Sequence, residues 1–181
     1  MSAIAWTSAD GSTMERAAWT EVATGHRLAG TTLTVVEDEP FELRWTVITD
    51  EAGATTTVGV TVQGPGTDRS LALSADGAGA WSAGDQPVLG LFGATDIELG
   101  WTPASLTVPI RRLALDIGDA ADLTVVHVDF PDHDITRQTR RYSRVDETRY
   151  LVESDSRSDE LEMVGANWYL DPRWVLLGGS R

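Results

Sequence analysis

FELRWTV, residues 41–47, alternates without a break: Phe41, Leu43, Trp45 and Val47 fall on one side of an extended chain, Glu42, Arg44 and Thr46 on the other. A strand sorts these residues into one apolar and one polar face, whereas a helix would scatter them around its circumference. TTTVGVTV, residues 55–62, repeats the pattern, with Val58, Val60 and Val62 opposite Thr57, Gly59 and Thr61. Working outward, LAGTTLTVVE, RSLALS, LTVVHVDF, RYLVE and DELEMV read as further strands, rich in residues that fit a pleated surface. In RRLALDI the apolar row is Leu113, Leu115 and Ile117. Turn residues punctuate these segments at Asp50–Gly53, Gly64-Pro65-Gly66, Asp76-Gly77, Gly118-Asp119, Pro131-Asp132 and Gly165-Ala166-Asn167. Asp76-Gly77 carries the type I′ hairpin signature. The pattern predicts an all-β domain: an antiparallel, barrel-like or strongly curved sheet with at most one or two short helices. The best candidate helix is MERAAWTEV, residues 14–22. No linker, repeat or low-complexity tract divides the chain, so residues 1–181 are expected to form a single domain.

Composition excludes several classes of function. No apolar run approaches the roughly 18–20 residues of a membrane span. The opening MSAIAWTSADGS has neither a cationic leader nor an apolar segment, and Cys is absent, which removes disulfides, thiolate metal sites and cysteine nucleophiles. These features point to the cytoplasm. The formal net charge is −14, and all 14 basic residues are arginine. The densest basic stretch, DITRQTRRYSRVDETRY, is divided by strand geometry: Arg137 and Arg141 face one way, Arg140 and Arg144 the other. Nucleic acid is therefore not an expected partner. G-x-S-x-G, H-E-x-x-H and Walker motifs are missing, and no cofactor or metal is implied. Asp132-His133-Asp134 reads as a solvated turn rather than a cation site. His127, on the face of Val125, reads as a core histidine.

Three features carry chemistry. Asp96 and Glu98 in TDIELGW share one strand face, with Ile97 and Leu99 on the other. Paired carboxylates of this kind serve as acid and base or as partners of arginine. Read as strand neighbours, Arg111 and Arg112 point to opposite faces. Arg111 then sits in the Leu113–Ile117 row, partly desolvated, and is expected to form a structural ion pair with Asp96 or Glu98. Arg112 is left to meet solvent or a ligand. LTVVHVDF is apolar on both faces, with Leu123 and Val125 opposite Val126, Val128 and Phe130. Both faces must be covered, either by a second layer of protein, which is favoured, or by an apolar cavity. Seven tryptophans exceed the count of either Tyr or Phe; most read as core packing, with room for one or two to line a site.

The run VLGLFGATDIELGWTPASLTVPIRRLALDIG resembles the signature of the putative glycolipid-binding family. The matching positions are Gly93, Asp96, Gly100, Thr102, Pro103, Thr107, Pro109, Ile110, Arg111, Arg112 and Leu113. Likeness extends upstream through LRWTVITDEAGATTTV and LALSADGAGAWSAGD and downstream through VDFPDHDITRQTRRYSR and YLDPRW, covering Trp19 to Trp174. The chain departs from the pattern at Ala94 (a cysteine in the family), Glu98 and Leu106 (an asparagine). The resemblance implies a curved antiparallel sheet, similar to that of bacterial lipoprotein-carrier proteins, with an apolar cavity for a lipid or glycolipid. The partner it implies is an amphiphilic small molecule held by a carrier or sensor. Arg112, Trp101, Arg140, Tyr142 and Arg144 are the candidate ligand-binding residues. Two other readings stand beside it: an enzyme using Asp96 and Glu98 on a lipid-like or sugar substrate, and an interaction module without a small ligand.

Overall fold

Residues 1–132, 134–155, 157–165 and 168–179 are described by the computed structural model, and the alternating segments other than RRLALDI are strands. The first half of the chain runs β1 (Ser2–Ser8), β2 (Thr13–Val22), β3 (Gly25–Val36), β4 (Glu39–Thr49), β5 (Thr55–Gly64) and β6 (Thr67–Ala75). Two short strands follow, β7 (Trp81–Ala83) and β8 (Gln86–Pro87), then β9 (Asp96–Leu99). The second half holds β10 (Ala120–Val128), β11 (Ile135–Arg144), β12 (Arg149–Glu153), β13 (Ser158–Val164), β14 (Trp168–Leu170) and β15 (Trp174–Gly179). They make a large nine-stranded sheet, β15-β1-β2-β3-β4-β5-β6-β7-β8, and a six-stranded sheet, β14-β13-β12-β11-β10-β9, curled into a half-barrel. The fold is all-β, as expected, and the curl stops short of a closed barrel. Among the described residues, no helix is long and apolar enough to cross a membrane.

One strand pair breaks the antiparallel rule. β9 and β10 are parallel, with Asp96 opposite Val125 and Glu98 opposite His127. A parallel pair needs a crossover, usually helical, because the chain must return to the starting edge. Here the crossover holds a 3-10 turn, Pro103–Leu106, and the helix α1, Thr107–Leu113. This overturns the strand expected over RRLALDI. The helical signals lie in the same residues: Thr102 caps the turn, accepting the Ala104 amide, and Pro103 stands at the first turn position. Leu106, Ile110 and Leu113 then recur at helical spacing and pack together on the half-barrel. The helix expected over residues 14–22 is instead β2, whose inward residues Glu15, Ala17 and Trp19 are all buried. The Asp76-Gly77 hairpin exists, but its loop runs from Asp76 to Ala80, with Asp76 Oδ1 accepting the amides of Ala78 and Ala80.

The two apolar faces of β10 are both covered by protein, as favoured from the sequence. Val126 and Val128 join Ile97, Leu99, Trp45 and Val60 in the core shared by the two sheets. Leu123 and Val125 join Tyr142, Tyr150, Leu161 and Ile110 in a second core, where α1 covers the other face of the half-barrel. The candidate turn over 132–134 and that over 165–167 include His133, Ala166 and Asn167, which lie outside the described residues.

Candidate functional site

All four residues of β9 are buried, so its alternation points in two directions at once. Ile97 and Leu99 enter the core between the sheets, which leaves Asp96 and Glu98 facing the other way among polar partners. Arg112 holds Asp96 as a fork, with Nε donating to Oδ1 at 3.0 Å and Nη2 to Oδ2 at 2.5 Å. The Thr95 hydroxyl adds a third hydrogen bond to Asp96 at 2.7 Å. The guanidinium assigned to Asp96 in the sequence was that of Arg111. On a helix, neighbours diverge by about 100° rather than 180°, and Arg111 instead lies over the Trp19 ring, 4.3 Å from its centroid. Arg112 is thus the ion-pair residue and not an open ligand contact.

Glu98 sits one strand position further along the same face. Arg140 Nε donates to its Oε2 at 2.8 Å and the Tyr142 hydroxyl to its Oε1 at 2.7 Å. His127 Nδ1 stands 3.8 Å from Oε2, beyond hydrogen-bond reach. Burial pushes the Glu98 carboxyl up, but His127, Arg140 and Tyr142 outweigh it and hold the group below its ordinary value. Burial, reinforced by the Glu98 charge, lifts the Tyr142 phenol well above its own. Tyr142 is therefore a donor, and Glu98 a fixed anion.

Beside Glu98 opens a cleft of about 640 Å³. The first turn of the crossover forms one wall, the β1–β2 hairpin a second, and the segments after β12 and β14 the rest. Arg140 and His127 reach it with Glu98, and Trp101, Phe130 and Trp174 give it aromatic surface. Trp101 and Phe130 meet edge to face, with centroids 6.2 Å apart. Gly100 also lines it: a Cβ there would come within 3.2 Å of the His127 imidazole, so glycine is what lets the ring lie against the backbone. On the rim Arg173 forks Asp171, with both contacts at 2.7 Å, and reaches Asp159 at 3.4 Å. Burial and the charge of Asp159 push Asp171 up to about 6. Trp101 Nε1 and His127 Nδ1 are buried and have no hydrogen-bond partner among the described residues.

Of the candidate residues, Trp101, Arg140 and Glu98 line the cleft, and Tyr142 supports Glu98 from within the half-barrel core. Arg144 lies elsewhere, donating to the carbonyls of Leu115 and Asp146 beside the Tyr150 ring. Sequence reasoning did not find His127, Asp171, Arg173 and Trp174. The last three lie in or beside the YLDPRW run, but their approach to β9 is set by tertiary folding alone. Asp96 and Glu98 do not make an acid–base pair over the cleft: Asp96 does not line it, and both oxygens of Glu98 already accept strong donors. Among the described residues, no cluster of His, Asp and Glu could hold a metal ion.

No functionally curated protein matches the chain. In its fold the chain is similar to a solved crystal structure, a DUF1089 family protein from Pseudomonas aeruginosa, with a TM-score of 0.79 and 24% identity over 88% of each chain. The model of a family described as "Putative glycolipid-binding" matches residues 3–166, nearly the whole chain. By that match, the chain belongs to the putative glycolipid-binding family.

Proposed function

We propose that the cleft beside Glu98 binds the head group of an amphiphile, and that the head group is an uncharged, polyhydroxylated one of the carbohydrate type. The observation that carries this reading is the aromatic surface of Trp101, Phe130 and Trp174 on its wall, set beside the polar Glu98–Arg140 pair. Hydroxyl groups both donate to carboxylates and accept from guanidinium groups, which suits a polar wall whose charges are already paired. Indole faces take up the apolar side of a sugar ring or the start of an acyl chain. Carboxylates outnumber guanidinium groups along the walls, and each arginine there is placed near a carboxylate, which disfavours a phosphate head. The second core of the half-barrel is filled by its own side chains and α1, which supports the cleft as the site. The family's name supports a lipid-like ligand.

The test is titration with octyl β-glucoside below its micellar concentration, followed by tryptophan emission and native mass spectrometry. Saturable one-to-one binding is expected. Trp101→Phe, which shrinks the indole face on the cleft wall to a phenyl ring, should weaken it about fivefold, the worth of a lost aromatic contact. No uptake of this or longer-chain glucosides, or an undiminished affinity in the Trp101→Phe protein, would overturn the reading.

A further inference from the structure

Among the described residues, Glu15 and Asp96 are fully buried carboxyls away from the cleft lining, and of the two only Asp96 is held by an arginine. Glu15 lies on β2, 1% exposed, opposite Trp6 on β1 and Thr32 on β3. The Thr32 hydroxyl donates to its Oε2 at 2.5 Å, and the Thr102 hydroxyl donates to its Oε1 at 2.5 Å. The first bond stays inside the large sheet. The second crosses to the turn that leads into α1, and Thr102 and Pro103 of that turn line the cleft.

Counting protons shows which form this arrangement suits. The Thr32 oxygen accepts Trp45 Nε1–H at 3.1 Å, and the Thr102 oxygen accepts the Ala104 amide at 3.1 Å. With those N–H groups incoming, each hydroxyl points its own hydrogen at Glu15. A carboxylate receives both. A carboxylic acid carries a hydrogen of its own that must find an acceptor, and the oxygens it already meets are these two hydroxyls. One hydroxyl must then turn its own hydrogen elsewhere and accept the acid proton, so that a charge-assisted bond to a carboxylate becomes a weaker, neutral one of reversed direction. The Thr32 link is braced by β2–β3 pairing on either side, so the link across to Thr102 is the one that weakens.

We infer that Glu15 is a proton-controlled clasp: ionised, it ties the Thr102 wall of the cleft firmly to the large sheet, and protonated, it holds that wall less firmly, so that ligand affinity rises with pH. The inference rests on the reading of the cleft as a ligand site. Every group facing Glu15 is neutral: Trp6 on β1, Thr32 on β3, Trp45 on β4 and Thr102 on the turn. Among the described residues, no charged side chain acts on it; burial, only partly offset by the hydroxyls and the indole, pushes its carboxyl up to about 7. The clasp therefore works in the neutral range, where an ordinary carboxylate would be ionised throughout.

The experiment uses the full chain labelled with carbon-13 and nitrogen-15, and follows the Glu15 carboxyl carbon together with the amides of Thr102, Ala104 and Ser105 between pH 5.5 and 8.5. A single transition near pH 7, shared by the carboxyl and the three amides, is expected. It should vanish from the amides in E15Q and in T102V; T102V retains the titrating group and so serves alone if E15Q fails to fold. Octyl β-glucoside should bind about fivefold more tightly at pH 8 than at pH 6, the equivalent of one net hydrogen bond, and equally at both in T102V. A Glu15 carboxyl that titrates in the ordinary carboxylate range, or amides that ignore it, overturns the clasp. Glucoside binding without pH dependence overturns the clasp and leaves the head-group reading standing. Shared titration without glucoside binding at either pH does the reverse.

Discussion

Asp96 holds a carboxylate at 0% exposure, and the forked contact from Arg112 with the bond from Thr95 is what makes that tolerable. Removing one partner of a buried pair strands the other charge, at a typical cost of about 3–5 kcal/mol. Arg112→Ala should therefore lose stability of that order in chemical denaturation. Arg141→Ala, which removes an exposed partner of Asp122, should lose no more than about 1 kcal/mol. Similar losses from the two would mean that Asp96 finds another partner or admits water. At this scale the sequence was informative up to a point. That a carboxylate of the D-x-E strand takes an arginine from the R-R pair was legible, because buried charge demands a counter-ion. Which arginine it takes was not, because that depends on whether the pair stands on a strand or a helix.

The elements show why that ambiguity arose. In SLTVPIRRLALDIG the spacing Leu113, Leu115, Ile117 suits a strand, while Leu106, Ile110, Leu113 suits a helix, and both live in the same fourteen residues. The crossover decides between them: once β9 and β10 lie parallel, the chain between has to return, and strand pairing is a long-range fact that local periodicity does not contain. Strands β3 to β6 had no such rival and were read correctly. Glu15 was hidden by the converse error, since β2 was taken for a helix although Glu15, Ala17 and Trp19 alternate with Met14, Arg16 and Ala18. The helix that was missed also ends under strain. Ala114 closes α1 in the left-handed region, at φ 44° and ψ 42°, where a Cβ is unfavourable and glycine is the usual residue. Ala114→Gly should raise the midpoint of denaturation by about 1 kcal/mol of stability. A loss instead would mean that the Ala114 methyl group contributes more by packing than the backbone loses by strain.

Across the whole molecule, two groups of carboxyls pull the stability profile in opposite directions. Glu15 and Asp171 have folded values raised from 4.5 to about 7 and from 3.8 to about 6. The stability linked to a raised acid is fully present below its unfolded value and is lost as pH rises through the folded one. For Glu15 the gap corresponds to about 3 kcal/mol, lost between pH 4.5 and 7. Glu98 has the opposite sign: its folded value is depressed, so its contribution is present above pH 4.5 and is lost as pH falls through that folded value. Thermal melts should accordingly show greatest stability near pH 5, with a falling limb toward pH 8. The net charge of −14 favours the same trend, since acid reduces self-repulsion, and salt separates the two causes. Repulsion between surface charges is largely screened at about 0.5 M salt, whereas desolvation of a buried carboxyl is not. The limb between pH 5 and 8 should persist at high salt in the native chain and flatten in E15Q. If salt alone abolishes it, Glu15 is not the group responsible, and the carboxylate at the heart of the clasp is more comfortably ionised than its surroundings imply.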